Sequence, residues 1–125
     1  MKVLIVEDDV LTADYISILV EDAGHAVVGT AHSAAEALDL LERGLAADVA
    51  SLDVRLPGGM DGVELATILC SRYNLPFLFV TGSGDPAHRR RCEALGPLAI
   101  LQKPLSPATL TQLLDSVDRA RSSAR

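Results

Sequence analysis

Four short clusters of reactive side chains punctuate this sequence: Glu7-Asp8-Asp9, Asp53, Thr81-Gly82 and Lys103-Pro104. Taken singly, each has an ordinary explanation. An aspartate after an apolar run caps a helix or makes a turn, Thr-Gly is a turn, and Lys-Pro is a surface loop. Brought together they describe a chemistry. Clustered carboxylates repel one another and favour a divalent cation or a shared proton. Hard carboxylate oxygens, completed by waters and a phosphate, suit magnesium rather than zinc. No His or Cys stands among them in zinc-ligand spacing; His25, His32 and His88 are scattered and read as surface residues. Beside a magnesium ion, the Lys103 ammonium and the Thr81 hydroxyl can stabilise the oxygens of a phosphoryl group in transfer. A carboxylate can then act as nucleophile and become an acyl phosphate. Asp53, central and last on its apolar run, is the candidate nucleophile, and Asp8 the principal magnesium ligand.

Residues so far apart meet only if the chain folds to gather them. Short aliphatic runs occur at Lys2–Val6, His25–Thr30, Asp48–Leu52, Pro76–Val80 and Leu98–Leu101. The first, third and fourth lack polar alternation, as strands covered on both faces do. Between them lie amphipathic segments. Ile16, Leu19, Val20 and Ala23 share one helix face, with Gly24 as a stop. Ser33 to Glu36 and Asp61 to Glu64 have capping-box spacing, and Ser106-Pro107 opens a last helix with Leu110, Leu113, Leu114 and Val117 on its stripe. The segment after Asp85-Pro86 differs: His88-Arg89-Arg90-Arg91 leaves only Ala87, Cys92, Ala94 and Leu95 to bury. A helix so poorly anchored is expected to be the most mobile element. Strand–helix alternation implies right-handed crossovers and a doubly wound, five-stranded parallel α/β sheet with the flavodoxin-like order 2-1-3-4-5. Every strand then ends on one edge, with the switch point between the first and third strands, and those strands carry the carboxylates.

Composition narrows the classes. The 125 residues fit one domain over residues 1–120, with a polar tail at 121–125 that frays from Arg119 onward. At 49% hydrophobic, 3% aromatic and no Trp, the core must be aliphatic. A net charge of −6 disfavours direct nucleic-acid binding. Cys70 and Cys92 form no CxxC pair and read as free, mostly buried thiols in a reducing, cytoplasmic setting. The first apolar run stops at Glu7, too early for a signal peptide, and no run approaches the ~20 residues of a membrane span.

The segments Val3-Leu4-Ile5-Val6-Glu7-Asp8-Asp9, Leu52 to Gly62 (LDVRLPGGMDG), Phe79-Val80-Thr81-Gly82 and Leu101-Gln102-Lys103-Pro104-Leu105 together resemble the CheY-like receiver domain of two-component response regulators. The resemblance covers essentially the whole chain. It implies that Asp53 takes a phosphoryl group from a histidine kinase or histidine phosphotransfer protein. It implies that magnesium is held by Asp8 and Asp53, with Glu7 acting through water and Arg55 through its backbone carbonyl. Thr81 would reorient toward the phosphoryl, Lys103 would pair with it, and the Lys103–Pro104 bond would be cis. A phosphorelay role follows, with a downstream protein target at the face of the last two helices and fifth strand, and a monomer or weak homodimer. Receivers usually carry an aromatic switch residue three positions before the lysine; here Ile100 stands there. Phe79-Val80-Thr81-Gly82 is similar to a Phe-x-Thr-Gly subgroup lacking that aromatic, often found standing alone, although Ser83 and Gly84 depart from it. With no aromatic rotor, phosphorylation would instead order the Gly82–Leu95 segment through Thr81.

Two other chemistries fit less well. A phosphatase forming an aspartyl phosphate needs a second acid two residues after its nucleophile, where this chain has Arg55. A flavin or nucleotide site needs rings to stack on, and two Tyr with crowded acids supply little. The reading is a switch rather than an enzyme, one that at most catalyses its own phosphorylation and dephosphorylation.

Overall fold

A computed structural model describes residues 1–82 and 84–123. Five strands alternate with five helices: β1 Lys2–Val6, α1 Val10–Asp22, β2 Ala26–Ala31, α2 Ala34–Glu42, β3 Val49–Asp53, α3 Gly62–Ile68, β4 Phe77–Thr81, α4 Pro86–Glu93, β5 Ile100–Gln102 and α5 Pro107–Ser123. All pairings are parallel, in the order β2-β1-β3-β4-β5. This is the architecture expected from the sequence. β5 begins later than its apolar run: the regular register with β4 starts at Ile100, although the Leu98 N–H already donates to the Phe77 carbonyl, and the Leu98 side chain is 40% exposed.

Successive side chains on a strand point to opposite faces, and here both faces are covered. Leu4, Val6, Ala50, Leu52, Phe77 and Phe79 pack with Ala34, Ala37, Leu41, Val63, Leu65, Ala66 and Cys92 on one side. Val3, Ile5, Val49, Leu78 and Val80 pack with Ala13, Ile16, Leu19, Val20, Leu110 and Leu114 on the other. Burial on both faces is why β1 and β4 show no polar alternation. Each fully buried Leu, Ile or Val contributes roughly 1.5–3 kcal/mol.

Caps set the helix starts. Asp61 and Glu64 form a complete capping box on α3. At α2, Ser33 Oγ accepts from the Glu36 N–H as expected, but the Glu36 carboxylate reaches one residue further back, to the His32 N–H at 2.7 Å. α3 runs on into a π-helical turn, Leu69–Tyr73, ended by Asn74 in the left-handed region. α4 starts with Asp85 accepting from the Ala87 N–H and buries only Cys92.

Three expectations need correction. His25 is buried, not on the surface: its Nδ1 accepts from the N-terminal ammonium at 2.9 Å, and its Nε2–H donates to Asp115 Oδ1 at 3.2 Å. It thereby ties the starts of β1 and β2 to α5. Cys70 is exposed, while Cys92 is buried. The tail does not fray at Arg119, because α5 continues through Ser123, with Arg121 paired to Asp48 at 2.9 Å and to Asp118 at 3.7 Å. Residues 124 and 125, and Ser83 of the glycine-flanked loop, lie outside the described residues. None of the described helices is long and apolar enough to cross a membrane.

One close approach matters for the site. A Cβ on Gly62 would lie 1.9 Å from the Asp53 carbonyl oxygen, and the Gly62 N–H donates to the Val54 carbonyl at 2.8 Å. Any side chain there must push α3 away from the strand end that carries Asp53. Gly62→Ala is expected to lower stability by about 1–3 kcal/mol, measured by urea denaturation; an unchanged midpoint would show that this contact is slack.

Candidate functional site

Strand register assembles the carboxyl edge. Val6 pairs with Leu52, Asp53 with Val80, and Thr81 with Gln102. Glu7, one residue past Val6, is thus level with Asp53, and the Lys103 N–H donates to the Thr81 carbonyl at 2.9 Å. The Lys103–Pro104 bond is cis. Asp8, Asp53, Arg55, Thr81, Gly82 and Lys103 line a cleft of about 310 Å³ at this edge.

Burial divides the acids. Glu7 is 1% exposed and Asp53 7%, whereas Asp8 and Asp9 are exposed. Glu7 is locked from several sides. Its N–H donates to the Ala31 carbonyl, its carbonyl accepts from His32 Nδ1–H at 2.9 Å, and its Oε2 accepts from the Asp9 N–H at 3.1 Å. Glu7 Oε1 is met by the Lys103 ammonium, its ion-pair partner. The same ammonium stands 3.4 Å from Asp53 Oδ2, and the Arg55 N–H donates to Asp53 Oδ1 at 3.3 Å. Asp9 turns aside: the Thr12 hydroxyl donates to it at 2.6 Å and holds its carboxyl below the usual range.

The electrostatics follow from this packing. Burial, then the hydrogen bond and negative charge of Glu7, push the Asp53 carboxyl up to about 7, against the pull of Lys103 and the Arg55 N–H. Burial disfavours a charged Lys103, but the Glu7 and Asp53 carboxylates outweigh it and raise its pKa. Two carboxylates share one ammonium, so the edge is short of positive charge.

The donor set fits a magnesium ion. Glu7, Asp8 and Asp53 each offer a carboxylate oxygen, all within 4.8 Å of one another. The donors are hard oxygens, one of them on the buried Glu7 carboxylate, and the adjoining cleft leaves room for waters. The structure thus gathers every residue singled out in the sequence: Asp53, Asp8, Glu7, Thr81, Lys103 and Arg55. Two further contributors carry weaker signals. His32 fixes the Glu7 carbonyl from 25 residues away, which no local pattern reveals. Gly62 stands at the first helical position after the Asp61 cap, an unfavourable place for glycine and therefore a hint of crowding.

Ile100 pairs with Phe79 and packs, half-buried, against the core on the α4 side. Beneath Thr81 it borders a small cavity of about 40 Å³ shared with Val54, His88 and Cys92. Thr81 and the one buried residue of α4 therefore face the same space.

Residues 3–115 match the family described as response regulator receiver domain. FixJ, a transcriptional regulatory protein of Bradyrhizobium diazoefficiens, is 33% identical over 119 residues, covering 94% of this chain and 56% of FixJ. The phyllosphere-induced regulator PhyR of Methylorubrum extorquens is 27% identical over 124 residues, covering 99% and 46%. This chain thus spans about half the length of those two relatives. Among solved structures, the signal receiver domain of a modulated diguanylate cyclase from Desulfovibrio desulfuricans superposes with a TM-score of 0.88 at 33% identity, covering 99% of this chain and 98% of that one. A CheY-like receiver domain protein from Methanospirillum hungatei gives 0.85 at 26% identity, covering 99% and 98%.

A pH dependence follows from Asp53. Its folded pKa of about 7 lies above the ordinary value of 3.8, so the native state binds the extra proton between those limits. Its contribution to stability is complete below about pH 4 and is lost as pH rises toward 7. In metal-free protein, Asp53→Asn should therefore become progressively more stable than wild type from pH 4 to 7, with the gap levelling above pH 7. Saturating magnesium should narrow that gap. Urea midpoints across this range measure it; a gap independent of pH would mean that Asp53 is not strained by Glu7 and burial.

Proposed function

The chain belongs to the response regulator receiver domain family, and from that premise we propose that Asp53 is its phosphoacceptor, loaded by a phosphohistidine of a kinase or phosphotransfer protein. The observation that carries this reading is the position of Asp53: last on the central β3, buried beside Glu7, and 3.4 Å from the Lys103 ammonium. An Asp53 carboxylate oxygen attacks phosphorus, the P–N bond of the donor breaks, and its electron pair returns to the imidazole. The product is an acyl phosphate on Asp53. Attack requires the ionised carboxylate, and the Lys103 ammonium and Arg55 N–H favour that form. Asp8, Asp53 and the buried Glu7, the last through water, with the Arg55 carbonyl, would hold magnesium. When bound, that ion supplies the positive charge that three carboxylates and a phosphoryl group call for. Lys103 then pairs with the phosphoryl oxygens, and the Thr81 hydroxyl donates to one of them.

Docking of the donor is served by α1. Val10, Leu11, Tyr15 and Ile18 are four of the five exposed large hydrophobics among the described residues, and Leu11 and Tyr15 line a groove of about 440 Å³ with Lys103, Pro104 and Leu105. Exposed apolar surface beside an active cleft marks a partner contact. Transmission runs the other way, from Thr81 through the cavity it shares with Cys92 to α4. No aromatic rotor takes part, and the output is a change in the α4-β5-α5 face presented to a protein target.

Three measurements test this. With acetyl phosphate and magnesium, intact-mass spectrometry should show an adduct of about 80 Da, one phosphoryl group, on wild type and none on Asp53→Asn or after chelation. Leu11→Glu should keep that adduct yet slow transfer from a phosphorylated kinase. An adduct on Asp53→Asn would move the acceptor elsewhere. For transmission, a phosphoryl mimic should slow amide exchange in α4 relative to α5; equal protection across α4 with and without the mimic would refute the route through Thr81.

A further inference from the structure

The corner between β2 and α2 carries contacts that a helix cap alone does not explain. In a complete capping box the Glu36 carboxylate would return to the N–H of the cap residue, Ser33. It passes that group and accepts from the His32 N–H at 2.7 Å, while Ser33 Oγ accepts from the Glu36 N–H at 3.1 Å. His32, half-buried, is thereby held by its backbone from α2. Its side chain turns toward β1, where Nδ1–H donates to the Glu7 carbonyl at 2.9 Å. A carbonyl can only accept, so this contact requires the ring proton on Nδ1.

The place of that bond is informative. Val6 is opposite Ala31 in the β1–β2 register, and the Glu7 N–H still donates to the Ala31 carbonyl at 2.9 Å. β2 ends at Ala31, so the Glu7 carbonyl lies past the last strand residue that could meet it. The imidazole supplies the donor and lengthens the ladder by one rung. A peptide unit is planar, and the Glu7 carbonyl shares its plane with the Asp8 N–H. Fixing that carbonyl therefore fixes the peptide from which Asp8 projects. On the far side of the same turn, the Asp9 N–H donates to Glu7 Oε2 at 3.1 Å. Glu7 and Asp53 are held by burial, whereas Asp8 is exposed and depends on its backbone for its place.

We propose that His32 is a positioning residue of the magnesium site, holding the Glu7–Asp8 peptide so that the exposed Asp8 carboxylate stands beside those of Glu7 and Asp53. It touches neither the ion nor the phosphoryl group. Groups that orient metal ligands from behind govern affinity by about 10- to 100-fold. An imidazole acting through one backbone carbonyl belongs at the lower end of that range. The proposal rests on the reading of Glu7, Asp8 and Asp53 as the magnesium site.

The test titrates the isotope-labelled chain with magnesium chloride alone, without phosphodonor, and follows the amides of Asp8, Asp53 and Arg55. In wild type these should shift saturably, and Asp8→Asn should bind far more weakly. His32→Ala should bind magnesium about tenfold more weakly than wild type. His32→Asn should restore affinity, because its amide nitrogen takes the place of Nδ1. His32→Gln, whose amide nitrogen takes the place of Nε2, should not. Urea midpoints of the three metal-free variants separate positioning from general support, since affinity should follow the donor and not the midpoint. Wild-type affinity in His32→Ala, equal affinity in His32→Asn and His32→Gln, or a loss that tracks the midpoint across all three overturns the proposal. If wild type shows no magnesium shift at these residues, or Asp8→Asn binds as wild type does, the reading of the site itself is overturned and the proposal falls with it.

Discussion

Two buried carboxylates at one strand edge, Glu7 and Asp53, share a single ammonium, and most of the local structure exists to hold that arrangement. Burial, and then the neighbouring Glu7, disfavour ionisation of Asp53, which is why its carboxyl is pushed up to about 7. The sheet holds Glu7 by its N–H, His32 by its carbonyl, and Asp9 by one carboxylate oxygen. On the other side, Gly62 lets α3 pack directly against the Asp53 carbonyl. Neither acid can swing away to relieve the repulsion. A bound cation would relieve it instead, and under the proposed function a phosphoryl group on Asp53 would take the place of its carboxylate as a partner of Lys103.

The same geometry is consistent with the phosphoacceptor switch that characterises the family. The acceptor is part of the protein, and no second acid stands where a leaving group would need a proton, since Arg55 occupies that position. Under the proposed function, phosphorylation would change charge and hydrogen bonding at Thr81, which shares a small cavity with Cys92, the one buried residue of α4 among those described. With Ile100 half-buried against the core, the small cavity beneath Thr81 gives that movement somewhere to go. Weak anchoring of α4 is thus a requirement of the transmission route.

Much of this was legible from residues. β1, β3 and β4 stood out because both of their faces are apolar, and their ends fell within about one residue of Asp53 and Thr81. Parallel topology then implied that the carboxylates, Thr81 and Lys103 meet. What escaped local reading depends on partners distant in sequence. His25 is buried because the N-terminal ammonium and Asp115 meet it there, and Arg121 keeps α5 helical to Ser123 by reaching Asp48. Likewise, nothing beside Glu7 in sequence reveals that it is the more deeply buried acid, or that His32 braces it. β5 was overextended because Leu98, apolar in sequence, faces solvent in the fold.

The central claim is that the acyl phosphate forms on Asp53 itself. Borohydride reduction of the phosphorylated chain, followed by peptide mapping, tests it most directly, since reduction of an aspartyl phosphate leaves homoserine at the modified position. The account expects homoserine at position 53 alone, and only after incubation with both phosphodonor and magnesium. Homoserine at Asp8 or Asp9, or a phosphoryl adduct that yields none at position 53, would contradict it.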